Sequence, residues 1–181
     1  MRSFEDVLDF WFVEHGPDHW FARTDEFDAA LAAGFTETHA AVARGEAWRW
    51  RTEPRGRLAE IIVLDQFSRQ LHRGAPEAFA QDKMALVLAQ EAIALGVHDT
   101  VGKPAGMFVL MPFMHAESLV IQDEGLRLFE AYGVPEQVDY MAKHRETIAR
   151  FGRFPFRNAA LGRQSTAEEI AYMQEQQERG F

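Results

Sequence analysis

The sequence from Arg57 to Gly74 reads "RLAEIIVLDQFSRQLHRG", and it gives the clearest indication of the fold. Between Leu58 and Leu64 every residue except Glu60 is apolar. A helix that is apolar almost all round is buried on nearly every side, and Gly74 is typical of the position just past a helix end. The stretch therefore predicts the most buried helix of the protein.

Most of the remaining chain has a helical pattern. Apolar residues recur at spacings of three and four, whereas strict alternation of apolar and polar residues is nearly absent. Ser3 with Asp6, and Ser165 with Glu168, match the pair of side chains that caps the amino terminus of a helix. The predicted helices begin near Ser3, Thr24, Arg57, Pro76, Pro112, Pro135 and Ser165, with loops at 48–57 and 97–106.

About seven helices with short connections predict an all-α fold of antiparallel helical hairpins packed side by side. The chain has 181 residues, of which 47% are hydrophobic, so it can form one globular domain with a sizeable core. We therefore predict a single domain over residues 1–181. Its tail, from about 175 to 181, is expected to fray.

The composition argues against several classes of partner. A net charge of -9 disfavours attraction to nucleic acid or to an anionic membrane, because both depend on positive surface charge. The amino terminus lacks the layout of a signal peptide, and no apolar run approaches the roughly 18 residues of a membrane span. The chain has no cysteine, which is compatible with a reducing compartment. These features predict a cytoplasmic protein without a nucleic-acid or membrane partner.

No metal or cofactor is expected from the motifs. The chain contains neither a glycine-rich phosphate loop nor the zinc motif HExxH. His15 and His19 are four residues apart, but Gly16 and Pro17 between them interrupt the helix that a histidine pair would need.

The predicted central helix carries two charged residues along its apolar stripe. Asp65 and Arg69 are four residues apart, so their side chains can pair on one face of the helix. Buried charges are tolerated when they are paired, so one interpretation is an internal ion pair. The other is that Asp65 orients Arg69 toward a ligand.

A second candidate group follows Pro112, in the sequence "MPFMHAES". His115 and Glu117 are predicted near the start of the fifth helix, where residues two apart point in nearly opposite directions and cannot both face one pocket. His115 is either a general base or a hydrogen-bonded core residue. Further along, His144 is predicted to lie against the core, with Arg145 beside it.

The segment Arg150–Asn158, "RFGRFPFRN", is unusually basic and aromatic. Between residues 141 and 165 there are six Lys or Arg residues and one acidic residue. Gly152 and Pro155 predict a corner, at which Phe151, Phe154 and Phe156 anchor in the core and fix the neighbouring arginines. Three interpretations remain open: a structural corner without a ligand, a wall of a pocket, and a platform for nucleic acid or a membrane.

Together these motifs resemble a bacterial family of uncharacterised proteins, domain of unknown function 924. The resemblance covers nearly the whole chain and rests on residues 6–12, 61–74, 78–82, 111–118 and 144–169. It implies an all-α, TPR-like helical array and no particular activity. The family usually has "LDQFPRN" and "RFPHRN", whereas this chain has Ser68, Gln70 and Phe156 at the proline, asparagine and histidine positions.

Two functions follow as hypotheses. The first is a pocket for a small anionic ligand, a carboxylate or a phosphate, with acid/base chemistry at His115 and Glu117. Its predicted ligand-binding residues are Asp65, Arg69, His144, Arg145, Arg153, Arg157 and Asn158. The alternative is a TPR-like interaction module without catalytic activity, for which fold is the only argument. Self-association through Trp48 and Trp50 is compatible with either, so a homo-oligomer is a further expectation.

Overall fold

The structure is a computed structural model, which describes residues 1–20 and 24–178. These two ranges contain eleven α-helices and no β-strand, so the predicted all-α class is confirmed. The predicted seven helices are divided into shorter segments. The bounds are α1 Phe4–Asp9, α2 Pro17–Trp20, α3 Asp25–Ala43, α4 Pro54–Ile62, α5 Ser68–Leu71, α6 Asp82–Ala94, α7 Val97–Thr100, α8 Met107–Met114, α9 Leu119–Tyr132, α10 Pro135–Phe151 and α11 Ala167–Glu178.

The chain forms two compact units. The first comprises Met1–Arg73 and Glu77–Pro112, and the second comprises Gly74–Pro76 and Phe113–Phe181. The single domain expected from the sequence, and its TPR-like arrangement, stay predictions. No helix in the described ranges is both long and apolar enough to cross a membrane.

The first unit is built around the stretch predicted to be most buried. Every residue from Leu58 to Ser68 is buried, which confirms that prediction. The helix is not continuous, however, because Val63–Phe67 form a π-helical turn between α4 and α5. At its end the Ser68 hydroxyl donates to the carbonyl of Leu64 at 2.7 Å and lies 2.7 Å from Nε2 of His39 on α3. Ser68 is thus bonded both within its own helix and to α3.

The loop predicted at 48–57 is wrong over most of its length. Trp48–Thr52 form a 3-10 turn, and α4 already begins at Pro54, which supplies no N–H and suits the first turn of a helix. Gly56 permits this arrangement, because a Cβ there would lie 2.1 Å from the carbonyl oxygen of Trp50. The turn and the helix are thus in direct backbone contact.

Three other predicted boundaries differ from the structure. The fourth predicted helix is a 3-10 turn at Pro76–Phe79 followed by α6, and the predicted loop at 97–106 contains α7. Pro112 does not open a helix but lies inside α8. Since Met107–Met114 are all buried, burial of apolar surface offsets the hydrogen bond that a proline inside a helix removes.

The second unit contains a helical hairpin of α9 and α10. Gly133 ends α9 and Gly152 ends α10, both in the left-handed conformation. Gly125 allows close packing inside the hairpin, because a Cβ there would lie 2.8 Å from Cε of Met141 and 3.0 Å from Cβ of Phe113.

The last helix starts one residue later than its predicted capping pair implies. Thr166 and Glu169 form the reciprocal bonds, at 3.2 Å and 2.8 Å, instead of Ser165 and Glu168. The shift has a physical reason, because Glu169 is also paired with Arg153. α11 continues to Glu178, whereas the sequence predicts fraying from about 175, and residues 179–181 lie outside the described residues.

Candidate functional site

The connection between α8 and α9, residues 115–118, carries both predicted catalytic residues. His115 and Glu117 were expected near the start of a helix, and this is wrong, because α8 ends at Met114 and α9 begins at Leu119. The geometric argument that one of them must face away therefore does not apply. The connection is free to direct both side chains independently.

Gln122 on α9 fixes this connection. Its side-chain Nε2 donates to the carbonyls of Phe113, Met114 and Ala116, at 3.3, 2.8 and 2.8 Å. Carbonyls at the end of a helix lack partners within the helix, so Gln122 satisfies groups that would otherwise be exposed. Gln122 is fully buried. Sequence reasoning missed it, since one glutamine in an amphipathic helix gives no distinctive signal.

Glu117 joins three segments of the second unit. It accepts from the backbone N–H of Phe154 at 2.8 Å and from both terminal nitrogens of Arg163 at 2.7 and 2.9 Å. Burial, the largest influence, raises the pKa of Glu117, but the Arg163 and Phe154 hydrogen bonds and the charges of Arg163 and Arg157 outweigh it and lower the pKa overall. Glu117 is therefore ionised at neutral pH and serves as an anchor.

Arg163 extends this network to Asn158. Its Nε donates to Oδ1 of Asn158 at 2.9 Å, and one terminal nitrogen donates to the carbonyl of Phe154 at 3.1 Å. Asn158 is buried and donates to Ser165 Oγ at 3.0 Å and to Glu169 at 3.3 Å. Asn158 thus holds the corner together. Arg163 was counted in the basic segment but was not predicted to belong to the site.

Glu169 is another carboxylate of this region, and it is buried. Arg153 binds it with two nitrogens, at 2.6 and 2.9 Å, and the N–H of Thr166 donates at 2.8 Å. The Arg153 hydrogen bond, followed by that of Thr166, lowers the pKa of Glu169 to about 2, against the effect of burial. The Arg153 guanidinium and the Glu169 carboxylate are therefore both charged. Arg153 thus binds a carboxylate of the protein itself.

Two other arginines of the basic segment also pair with acids. Arg145 binds Asp123 at 2.6 Å, and Arg150 binds Glu168 at 2.8 Å, with all four side chains more than a third exposed. These are surface ion pairs of small energetic value.

Three basic residues lie near one another beside Phe154, and we call them the His–Arg cluster: His115, His144 and Arg157. The guanidinium of Arg157 lies 4.6 Å from the centre of the Phe154 ring, and its Nη2 donates to the carbonyl of His115 at 2.9 Å. The rings of His115 and His144 are 6.4 Å apart, and His144 meets the Phe154 ring edge-on at 5.5 Å. The chain brings these residues together from the 115–118 connection, α10 and the 155–157 turn.

The three phenylalanines of the corner differ in burial. Phe154 is buried, Phe151 is half-buried and Phe156 is 49% exposed. The prediction that all three rings anchor in the core is therefore wrong for Phe156, which lies 6.3 Å from the ring of Tyr172.

Asp65 and Arg69 belong to the first unit. Their predicted pairing is present, with Arg69 Nη1 3.2 Å from Oδ1 of Asp65. Arg69 also binds Asp82 at 3.0 Å, a partner that the spacing did not reveal. Asp65 is fully buried and lies within the π-helical turn. Within residues 1–20 and 24–178, no three His, Asp or Glu side chains are arranged to hold a metal ion.

Residues 7–177 match the family described as "Bacterial protein of unknown function (DUF924)". The chain belongs to this family. A solved structure of a protein of unknown function from Agrobacterium tumefaciens is 36% identical to this DUF924 protein, with a TM-score of 0.90 over 95% of this chain and 97% of that one. No curated protein matches the sequence.

The three positions singled out in the sequence motifs, Ser68, Gln70 and Phe156, have different environments. Ser68 is fully buried and bonded to His39. Gln70 donates to the carbonyl of Trp20 at 3.2 Å. Phe156 is exposed at the edge of the corner. Ser68 and Gln70 thus form hydrogen bonds within the first unit.

Proposed function

We propose that this DUF924 protein binds a small anionic ligand, a carboxylate or a phosphate, at the His–Arg cluster of its second unit. One observation supports the proposal above the others: Arg157 is held over Phe154 and bonded to the carbonyl of His115, beside two imidazoles 6.4 Å apart. Three groups that can carry positive charge thus lie on one rigid frame. A fixed guanidinium loses little freedom when it binds an anion.

The backbone around this cluster is held in place by the hydrogen bonds of Glu117 and Gln122. Glu117 ties the 115–118 connection to Phe154 and Arg163, and Gln122 ties the same connection to α9. Preorganised donors bind a ligand more tightly than mobile ones, since less conformational entropy is lost.

The predicted ligand-binding set becomes smaller in this proposal. Arg153 and Arg145 direct their guanidinium groups at Glu169 and Asp123, so they contribute to the frame and to the surface. Asn158 is a support of the corner. Asp65 and Arg69 pair within the first unit, and we assign them no ligand contact.

Proton transfer at this site would fall to the imidazoles. Both oxygens of Glu117 accept hydrogen bonds and its pKa is lowered, so it is a poor acid and a poor base near neutral pH. His115 is the proposed proton carrier if the ligand reacts, because the ordinary pKa of histidine lies near neutral pH.

The test compares thermal unfolding in inorganic phosphate and in acetate for the wild type, Arg157→Gln and Arg150→Gln. A ligand at ten times its dissociation constant adds about 1.4 kcal/mol, which raises the Tm by a few degrees. We expect this rise in the wild type and in Arg150→Gln, whose arginine pairs with Glu168 on the surface. We expect it to vanish in Arg157→Gln. An equal rise in Arg157→Gln, or none in the wild type, would overturn the proposal.

A further inference from the structure

We draw no further inference here: the strongest candidate, the cavity between α1 and α3, is lined by a cluster of acidic residues, Asp6, Asp9 and Glu14, and nothing in the described part of the chain shows what it would bind.

Discussion

At the scale of single residues, Glu117 links three segments of the second unit. One carboxylate accepts three hydrogen bonds from two partners that are distant in sequence, Phe154 and Arg163. Its removal would leave the guanidinium of Arg163 without its charged partner in a site where both side chains are about three-quarters buried. An unpaired charge in such a site costs more than a lost contact.

Glu117→Gln should lower the free energy of unfolding by about 1–3 kcal/mol, because a neutral amide cannot replace a bidentate carboxylate. Urea denaturation at pH 7 measures the loss. Glu168→Gln is the control, since it removes the exposed pair with Arg150 and should change stability by less than about 0.5 kcal/mol. Equal losses in the two variants would contradict the role assigned to Glu117.

The residues of the site could be predicted only in part. The pairing of Asp65 with Arg69 follows from their spacing of four on one helix, and it is present. The partners of Arg153 and Arg163 lie 16 and 46 residues away, and no local spacing identifies them. The sequence shows an excess of basic residues in this segment, but it does not show that buried acids from other segments neutralise them.

At the scale of helices and turns, the contact between α4 and the preceding 3-10 turn has the strictest requirement. Gly56 lies where any side chain would meet the backbone of Trp50. Backbone cannot move aside as a flexible side chain can. Gly34, inside α3, has no neighbour within 4 Å of an added Cβ and provides a matched comparison.

Gly56→Ala should destabilise the protein by about 3 kcal/mol or more, since the added methyl group overlaps a carbonyl oxygen. Gly34→Ala should stabilise it by roughly 0.5–1 kcal/mol, because alanine favours a helix interior over glycine. Thermal and urea unfolding of both variants measure the difference. A Gly56→Ala variant as stable as Gly34→Ala would contradict the close approach.

Local capping signals predicted some helix ends correctly and others not. The capping pair Ser3 with Asp6 is present as expected, and Gly152 ends α10 at the predicted corner. The π-helical turn at Val63–Phe67 has no signature in the sequence, and Ser68 just after it is bonded to His39 on another helix. The capping pair of α11 is displaced by one residue for a tertiary reason.

At the scale of the protein as a whole, acid should act on the two units in different pH ranges. In the first unit, burial and then the charge of His72 lower the pKa of His39 from 6.5 to about 4. A histidine that is neutral when folded stabilises fully above pH 6.5 and progressively less as pH falls toward 4, since the unfolded chain binds the proton first. In the second unit, Glu169 stabilises fully above about pH 4.5 and loses this effect as pH falls toward 2.

The wild type should therefore lose on the order of 3 kcal/mol of stability between pH 7 and pH 4 through His39 alone. His39→Gln keeps a donor for Ser68 and should reduce this loss, whereas Glu169→Gln should not change the slope above pH 4.5. Urea denaturation at several pH values provides the measurement. An unchanged slope in His39→Gln would exclude its buried imidazole as the cause.

The all-α class could be predicted because apolar spacing is a property of each segment by itself. The arrangement of the segments depends on contacts between them, so the TPR-like array, the homo-oligomer and the cytoplasmic location stay predictions. The interaction module remains the alternative function.

The attachment of α11 has a practical consequence for anyone shortening the gene. This helix is joined to the corner through Glu169 and to α10 through Glu168 and the hydroxyl of Tyr172, which lies 2.8 Å from Thr147. A stop codon placed before position 169 would strip Arg153 of its counter-ion and Asn158 of one of its acceptors. A truncated product meant for crystallisation should therefore retain residues through at least Tyr172.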